Sequence, residues 1–174
     1  VFPSLLAKLS KEYNLKHFIH LSALGVGEAK DSNYAKSKLD GENEVLSNFP
    51  LATILRPSIV YSVDDNFTTY FMTLLNRLPI FPIYYKGETK FMPIHCSDLT
   101  DTIYHVLSNN IYSKIIECVG PEVISFKEII ERLLKLLNKR RILIPFPLPL
   151  AEISARLFEI MPNPLLTQDQ LKLL

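Results

Sequence analysis

Three residues of this chain have the types and order needed to move a proton at a carbon–oxygen centre. Tyr34 and Lys38 stand four apart in Tyr34-Ala35-Lys36-Ser37-Lys38, so on a helix they share one face. Ser22 ends a short apolar run, Phe18-Ile19-His20-Leu21-Ser22, twelve residues before the tyrosine. A free phenol titrates near ~10, too high for a general base at neutral pH. A neighbouring ammonium favours the phenolate, and a cationic nicotinamide ring would favour it further. A hydroxyl such as Ser22 can then hydrogen-bond the reacting oxygen and share the proton with the phenol. The set suits hydride transfer between a secondary alcohol or carbonyl and a nicotinamide. A tyrosine and a lysine four apart are commonplace on exposed helix faces, so the pair takes its weight from what surrounds it.

The elements around these residues alternate. Residues 3–13 read as an amphipathic helix with Leu5, Leu6, Leu9 and Tyr13 on one stripe. His17 to Leu21 reads as a buried strand leading into a loop with Gly25 and Gly27. Asp31 or Ser32 can cap a helix over about 33–47. Leu51 to Val60 reads as a second buried strand, broken late by Pro57. Helix, strand, helix, strand at this spacing predicts a parallel α/β sheet.

Beyond residue 65 the pattern changes. Phe67 to Leu78 reads as a helix, followed by a loop-rich stretch with short strands punctuated by Pro79, Pro82, Gly87 and Pro93. Ser97 can cap a helix over about 98–108, with Asp98 favouring its positive end. Lys114 to Val119 reads as a strand. Ser125-Phe126-Lys127-Glu128 is a capping box that opens a leucine-rich helix to about 138. Ile142 to Pro145 fits an edge strand, and Pro149–Ile160 and Thr167–Leu174 fit closing helices.

Composition excludes several classes. The 174 residues carry a formal net charge of +1 and 48% hydrophobic residues, enough for a sizeable core and without the footprint of a nucleic-acid binder. Lys139-Arg140-Arg141 is the one basic cluster and reads as a helix C-terminus complementing its dipole. Cys96 and Cys118 have neither metal spacing nor a disulfide framework, and read as two half-buried thiols in a reducing compartment. No apolar run reaches the ~20 residues of a membrane helix. The chain opens on Val1, and a preceding segment is expected.

Taken in order, these stretches resemble the short-chain dehydrogenase/reductase superfamily, in its extended, epimerase/dehydratase-type branch. The residues that carry the resemblance are His17 to Gly25, Tyr34 to Lys38, Gly41-Glu42, Ile54 to Tyr61, Lys90 to Leu99 and Gly120 to Phe126. Within the superfamily the chain is similar to the group of the nucleotide-binding accessory subunit of respiratory complex I and its bacterial relatives. The resemblance implies an α/β fold: the C-terminal part of a Rossmann-type parallel sheet over residues 1–65, then a smaller mixed α+β substrate-binding lobe over 66–174 with some elements returning to the sheet. It implies Ser22, Tyr34 and Lys38 as catalytic residues. Tyr34, Lys38, Pro57, Ser58 and Val60 would lie against the nicotinamide side of NAD or NADP. Arg56 and His95 are candidates for substrate contact, with a structural salt bridge and a core histidine as their alternatives.

Departures from the family pattern set the expectations for the whole. The glycine-rich turn whose amides and helix N-terminus hold a pyrophosphate has no counterpart, since Gly25-x-Gly27 follows Ser22 and opens no helix. The residue that selects NAD or NADP has no counterpart either. The chain therefore reads as a C-terminal portion that by itself binds a dinucleotide poorly. Two functions follow from the resemblance: an NAD(P)-dependent oxidoreductase or epimerase-like enzyme acting on a small molecule, or a non-catalytic accessory or assembly subunit that holds NADPH in the respiratory NADH:ubiquinone oxidoreductase. Partners would be complex I subunits or a second copy of the chain, and the location bacterial cytoplasm or the mitochondrial matrix side, peripheral to the membrane.

Overall fold

A computed structural model describes residues 2–29 and 31–146; the two expected closing helices lie outside the described residues. In chain order the elements are α1 (Phe2–Glu12), β1 (Ile19–Leu21), α2 (Asn33–Asn48), β2 (Thr53–Pro57), β3 (Val60–Tyr61), α3 (Asn66–Arg77), β4 (Ile80–Tyr84), a 3-10 turn (Tyr85–Gly87), β5 (Lys90–Phe91), β6 (Ile94–His95), α4 (Cys96–Ser108), β7 (Ile115–Cys118), β8 (Ile124–Ser125), α5 (Phe126–Leu136) and β9 (Ile142–Phe146). They form two compact units, one built from Val1–Val60 and Ile94–Gly120, the other from Tyr61–Pro93 and Pro121–Leu174.

The first unit is the expected parallel α/β sheet. Its strand order is β1-β2-β7, with Ile19 opposite Thr53 and Ile54 opposite Ile115. Side chains alternate across a strand, and the central strand shows this clearly. Ile54 packs with Ala7, Val45, Phe49 and Ala52 on the face covered by α1 and α2, while Leu55 packs with Ile94, Leu99, Val106 and Cys118 on the face of α4. A parallel sheet covered on both faces needs such continuous apolar strands. Ser32 caps α2 by accepting from the Ala35 amide at 3.2 Å. Below the strands His17 and Tyr112 stack at 4.5 Å, and both bond to Asn110 Oδ1.

Helix α1 differs from its sequence reading. Small residues, Ala7 and Ser10, are the ones buried, and α1 packs on α2. Leu5, Leu6, Leu9 and Tyr13 are exposed. Small side chains let two helices approach closely, so the buried side here is the small-residue side and not the leucine stripe.

The second unit holds two strand pairs, β4 with β9 in parallel and β5 with β8 antiparallel. Its core gathers Leu75, Phe81, Ile83, Phe126, Ile130 and Leu133. The capping box of α5 is present: Ser125 accepts from the Glu128 amide at 3.2 Å, and Glu128 accepts from the Ser125 amide at 2.6 Å. Gly87 sits at φ +75°, where a Cβ would lie 2.7 Å from Lys127 Cβ and 2.8 Å from Ile83 Cγ2. The basic cluster serves a different helix from the one expected. Lys139 Nζ donates to the Asn76 carbonyl at 3.3 Å, and Arg141 Nε donates to the Leu75 carbonyl at 2.8 Å. These are last-turn carbonyls of α3, which lack partners within their own helix.

Candidate functional site

The first unit gathers most of the chemistry-bearing residues at the carboxyl ends of its parallel strands, where ligands bind in open α/β sheets. Ser22 follows the last residue of β1, and its amide donates to the Leu55 carbonyl at 2.8 Å. Leu24 then donates to the Pro57 carbonyl at 2.9 Å, and Ser58 to the Cys118 carbonyl at 3.0 Å. Backbone bonds thus fix Ser22, Pro57 and Ser58 along one sheet end. Val60 packs into the cluster of Leu55, Ile94 and Leu99 on the α4 face.

Helix α2 brings Tyr34 and Lys38 to the opposite face. Lys38 Nζ donates to the Leu21 carbonyl at 3.4 Å and lies 5.8 Å from the Tyr34 ring centroid, within cation–π range. Tyr34 is 45% exposed. The Leu21 contact ties the ammonium to the residue before Ser22. Ser22 is only 5% exposed, and its Oγ has no partner in hydrogen-bonding geometry among the described residues. A buried hydroxyl without a partner costs free energy, and Ser22 lies close enough to the Glu42 carboxylate to help hold it ionised.

Two residues beneath this face were not singled out as site residues from the sequence. Glu42 is 2% exposed and receives both arms of Arg56: Nε to Oε1 at 3.0 Å and Nη2 to Oε2 at 2.7 Å. Burial would raise the Glu42 pKa, but the hydrogen bonds of Arg56 and the nearness of Ser22 outweigh it and hold the carboxyl below its ordinary value. Ser22 adds to that stabilisation although the two groups miss good hydrogen-bond geometry. The same hydrogen bonds raise Arg56, aided by the charge of Glu117. His20 lies on the Ser22 side of β1, with a Cβ on Gly41 falling 3.7 Å from its Nε2. That nitrogen is buried and without a partner. Burial first, then the Lys38 charge, lowers its pKa, opposed by Glu42; the net shift favours the neutral ring. Spacing offered one signal for Glu42: it stands four residues past Lys38, on the same helix face.

The remaining candidates have structural duties. The Arg56 fork is committed to Glu42. His95 is half-buried and caps α4, its Nδ1 accepting from the Ser97 amide at 3.3 Å and lying 2.7 Å from Ser97 Oγ. Sequence had placed Ser97 as the cap; the imidazole takes that position two residues earlier. Cys96 is exposed, whereas Cys118 is buried, which raises its thiol pKa. Among the described residues no group of three or more His, Cys, Asp or Glu could hold a metal ion, and no helix is long and apolar enough to cross a membrane.

A parallel sheet carrying a serine at one strand end, against a helix presenting tyrosine and lysine, resembles the short-chain dehydrogenase/reductase superfamily, and the fold is that of its extended, epimerase/dehydratase-type members. The fold matches dTDP-4-dehydrorhamnose reductase of Clostridium acetobutylicum with a TM-score of 0.69 at 19% identity, over 97% of this chain and 62% of that one. UDP-glucuronic acid 4-epimerase of Bacillus cereus, solved with UDP-glucuronic acid and NAD, matches with a TM-score of 0.68 at 25% identity, over 83% of this chain and 52% of that one. In sequence the chain is similar to NADH dehydrogenase (ubiquinone) 1 alpha subcomplex subunit 9, mitochondrial. The Dictyostelium discoideum protein is 31% identical over 75% of this chain, and the Mus musculus protein 29% over 98%. The chain spans 36% and 46% of those two relatives. No protein-family model matches it.

Proposed function

We propose that this chain carries the nicotinamide-facing part of an NAD(P)-dependent oxidoreductase or epimerase-like protein, with Ser22, Tyr34 and Lys38 as its working residues. The observation that supports this most is the buried Ser22 hydroxyl at the end of β1, beside a helix that presents Tyr34 and Lys38. Those residues fit the reacting end of a dinucleotide. The described residues include no glycine-rich amide cradle for its pyrophosphate. When bound, the dinucleotide supplies or accepts hydride. The Ser22 O–H donates to the substrate oxygen, and the Tyr34 phenol gives that oxygen a proton or takes one from it. Lys38, held at the Leu21 carbonyl, keeps a positive charge beside the phenol and is placed to reach a ribose hydroxyl. In this reading Pro57, Ser58 and Val60 flank the nicotinamide, residues 1–65 are the Rossmann-type half, and residues 66–174 are mainly the lobe that selects a small-molecule substrate.

The relatives' names, subunits of mitochondrial NADH dehydrogenase, support a second reading: an accessory subunit of that assembly, which in this reading holds NADPH as a structural element and lies on the matrix side. One comparison separates the two. If the first reading holds, the full native chain turns over NADH or NADPH and Tyr34→Phe abolishes turnover. Unchanged turnover in that variant overturns it. If the second holds, the purified chain carries tightly bound NADPH that it does not consume, and it co-purifies with respiratory subunits.

A further inference from the structure

We propose that the cleft at the amino ends of the parallel strands is a docking site for a protein partner, from which it takes a bulky apolar side chain flanked by carboxylates. The cleft lies in the first unit, at the opposite end of the sheet from Ser22, and the inference does not depend on the site reading given above. Its volume is about 490 Å³, in the range of ligand-binding clefts. The lining is largely apolar. Phe49 is 6% exposed, while Leu15 and Leu51 are 53% and 54% exposed. One exposed leucine is ordinary. Two that converge on one cleft, with a phenylalanine and the Tyr112 ring, form a pocket of the kind that anchors a partner's side chain. The cleft is open to solvent, so it cannot seal a small metabolite from water. It suits a side chain that enters from another protein's surface.

The walls are fixed before any partner arrives. Beyond α1, the Asn14 amide donates to the Lys11 carbonyl at 3.1 Å and the Leu15 amide to the Ser10 carbonyl at 2.9 Å. The Ser113 amide donates to the Leu51 carbonyl at 3.2 Å, and Ser113 Oγ donates to the Pro50 carbonyl at 3.0 Å. These bonds tie the turn between α2 and β2 to the segment that enters β7. Tyr112 stacks on His17 at 4.5 Å and its hydroxyl donates to Asn110 Oδ1 at 3.2 Å. A preformed pocket spares much of the ordering cost of binding. Charge then selects the partner. Lys11 and Lys16 line the cleft and no carboxylate does; Glu12, next to Lys11 in sequence, is outside the lining. Neither ammonium is in an ion pair among the described residues. Two exposed cations beside an apolar cleft favour acidic flanks on the entering segment and oppose basic ones.

The test uses the full native chain with labelled leucine methyl groups, and follows the Leu15 and Leu51 signals by NMR. The probe is a capped pentapeptide with a central phenylalanine and two glutamates on each side. Both signals should shift and saturate. Replacing the phenylalanine by alanine should weaken binding on the order of tenfold or more, and replacing the glutamates by lysines should abolish it. Raising the salt to about 0.5 M should weaken it as well, since the lysines are exposed. The Lys11→Glu/Lys16→Glu double variant and Leu51→Asp, read at Leu15, should each lose on the order of tenfold in affinity. Their Tm should stay native, because all three side chains are exposed. If Leu51→Asp does not fold, the lysine double variant carries the test. No shift of either signal at millimolar peptide overturns the proposal, as does equal binding of the alanine or lysine peptide. Native affinity in the folded variants overturns it too. If 2-naphthoate binds there as tightly as the peptide, the cleft is a site for free anions and the partner is refuted. Self-association of the chain that Leu51→Asp abolishes would give the cleft to a second copy, with the same consequence.

Discussion

Replacing Arg56 by methionine should make the stability of the first unit depend on pH in a direction opposite to the unsubstituted chain. Glu42 is 2% exposed and Arg56 21% exposed, with both arms of the fork engaged. Removing one partner of a buried pair leaves an uncompensated charge and costs about 3–5 kcal/mol. The partial exposure of Arg56 places this case near the lower end, about 3 kcal/mol. At roughly 2–4 °C per kcal/mol for a chain of this size, Tm should fall by about 6–12 °C at pH 7.5. The sign of the pH effect follows from Glu42. With Arg56 present its folded pKa is lowered, so its contribution is present above the unfolded value of about 4.3 and declines as pH drops through the lower folded value. Without Arg56, burial dominates and the folded pKa rises above the unfolded one. The variant then suffers most at high pH and recovers as pH falls toward 5. Thermal unfolding of both proteins between pH 5 and 8 reads this, and the Glu42→Met/Arg56→Met double variant should regain most of the loss. A constant gap in Tm across that range would refute the reasoning.

Other perturbations probe the rest of the chain. Ser22→Ala removes a buried hydroxyl that helps hold Glu42 ionised, so a small fall in Tm is expected together with a fall in dinucleotide turnover or binding; unchanged turnover and binding would contradict the site reading. Gly87→Ala combines a left-handed backbone with a Cβ 2.7 Å from Lys127 Cβ. It should cost about 2–5 kcal/mol from the left-handed conformation and overpacking together, read by urea unfolding, and a neutral result would show that α5 can shift. Asp65 caps α3, accepting from the Thr68 amide at 2.6 Å, and Asp65→Ala should cost about 1–2 kcal/mol. Burial raises the Asp65 pKa, but its bonds to Thr68 and Ser62 outweigh that and lower it. Its contribution is therefore held at neutral pH and fades below about pH 4, where the two proteins should converge in unfolding experiments.

What could be read from the sequence was local or periodic. The Ser32 cap, the Ser125–Glu128 box and the alternation of helix with apolar strand depend on near neighbours, and each appears in the structure. The same holds for Tyr34 and Lys38, whose spacing alone puts them on one face. Misreadings came where distant chain segments decide. The leucines of α1 form a proper stripe, but which side is buried depends on the partner helix, and Ala7 and Ser10 face it. The destination of Lys139 and Arg141 depends on the fold of a segment sixty residues earlier, and they meet the carbonyls of α3 rather than their own helix. Imidazole caps are uncommon, so Ser97 looked the better cap than His95. Glu42 went unassigned for the same reason: its partner is on another element, fourteen residues on.

The two functional readings place different demands on one helix face. Whichever reading holds, Lys38 and the Glu42–Arg56 pair tie α2 to β1 and β2. Both readings set Tyr34 beside the nicotinamide, but only catalysis requires its hydroxyl to exchange a proton. That ring stands at the open end of the face, 45% exposed, with the Lys38 ammonium 5.8 Å from its centroid. Little of the apolar core depends on it, and Phe would satisfy the same contact with Lys38 through its own ring. A hydroxyl on that ring, beside a lysine bonded to the Leu21 carbonyl and a serine at the same strand end, suits the movement of a proton. Tyr34→Phe therefore separates the readings more cleanly than any substitution deeper in the site, because it alters the phenol while leaving the Lys38–Leu21 and Glu42–Arg56 ties of α2 in place.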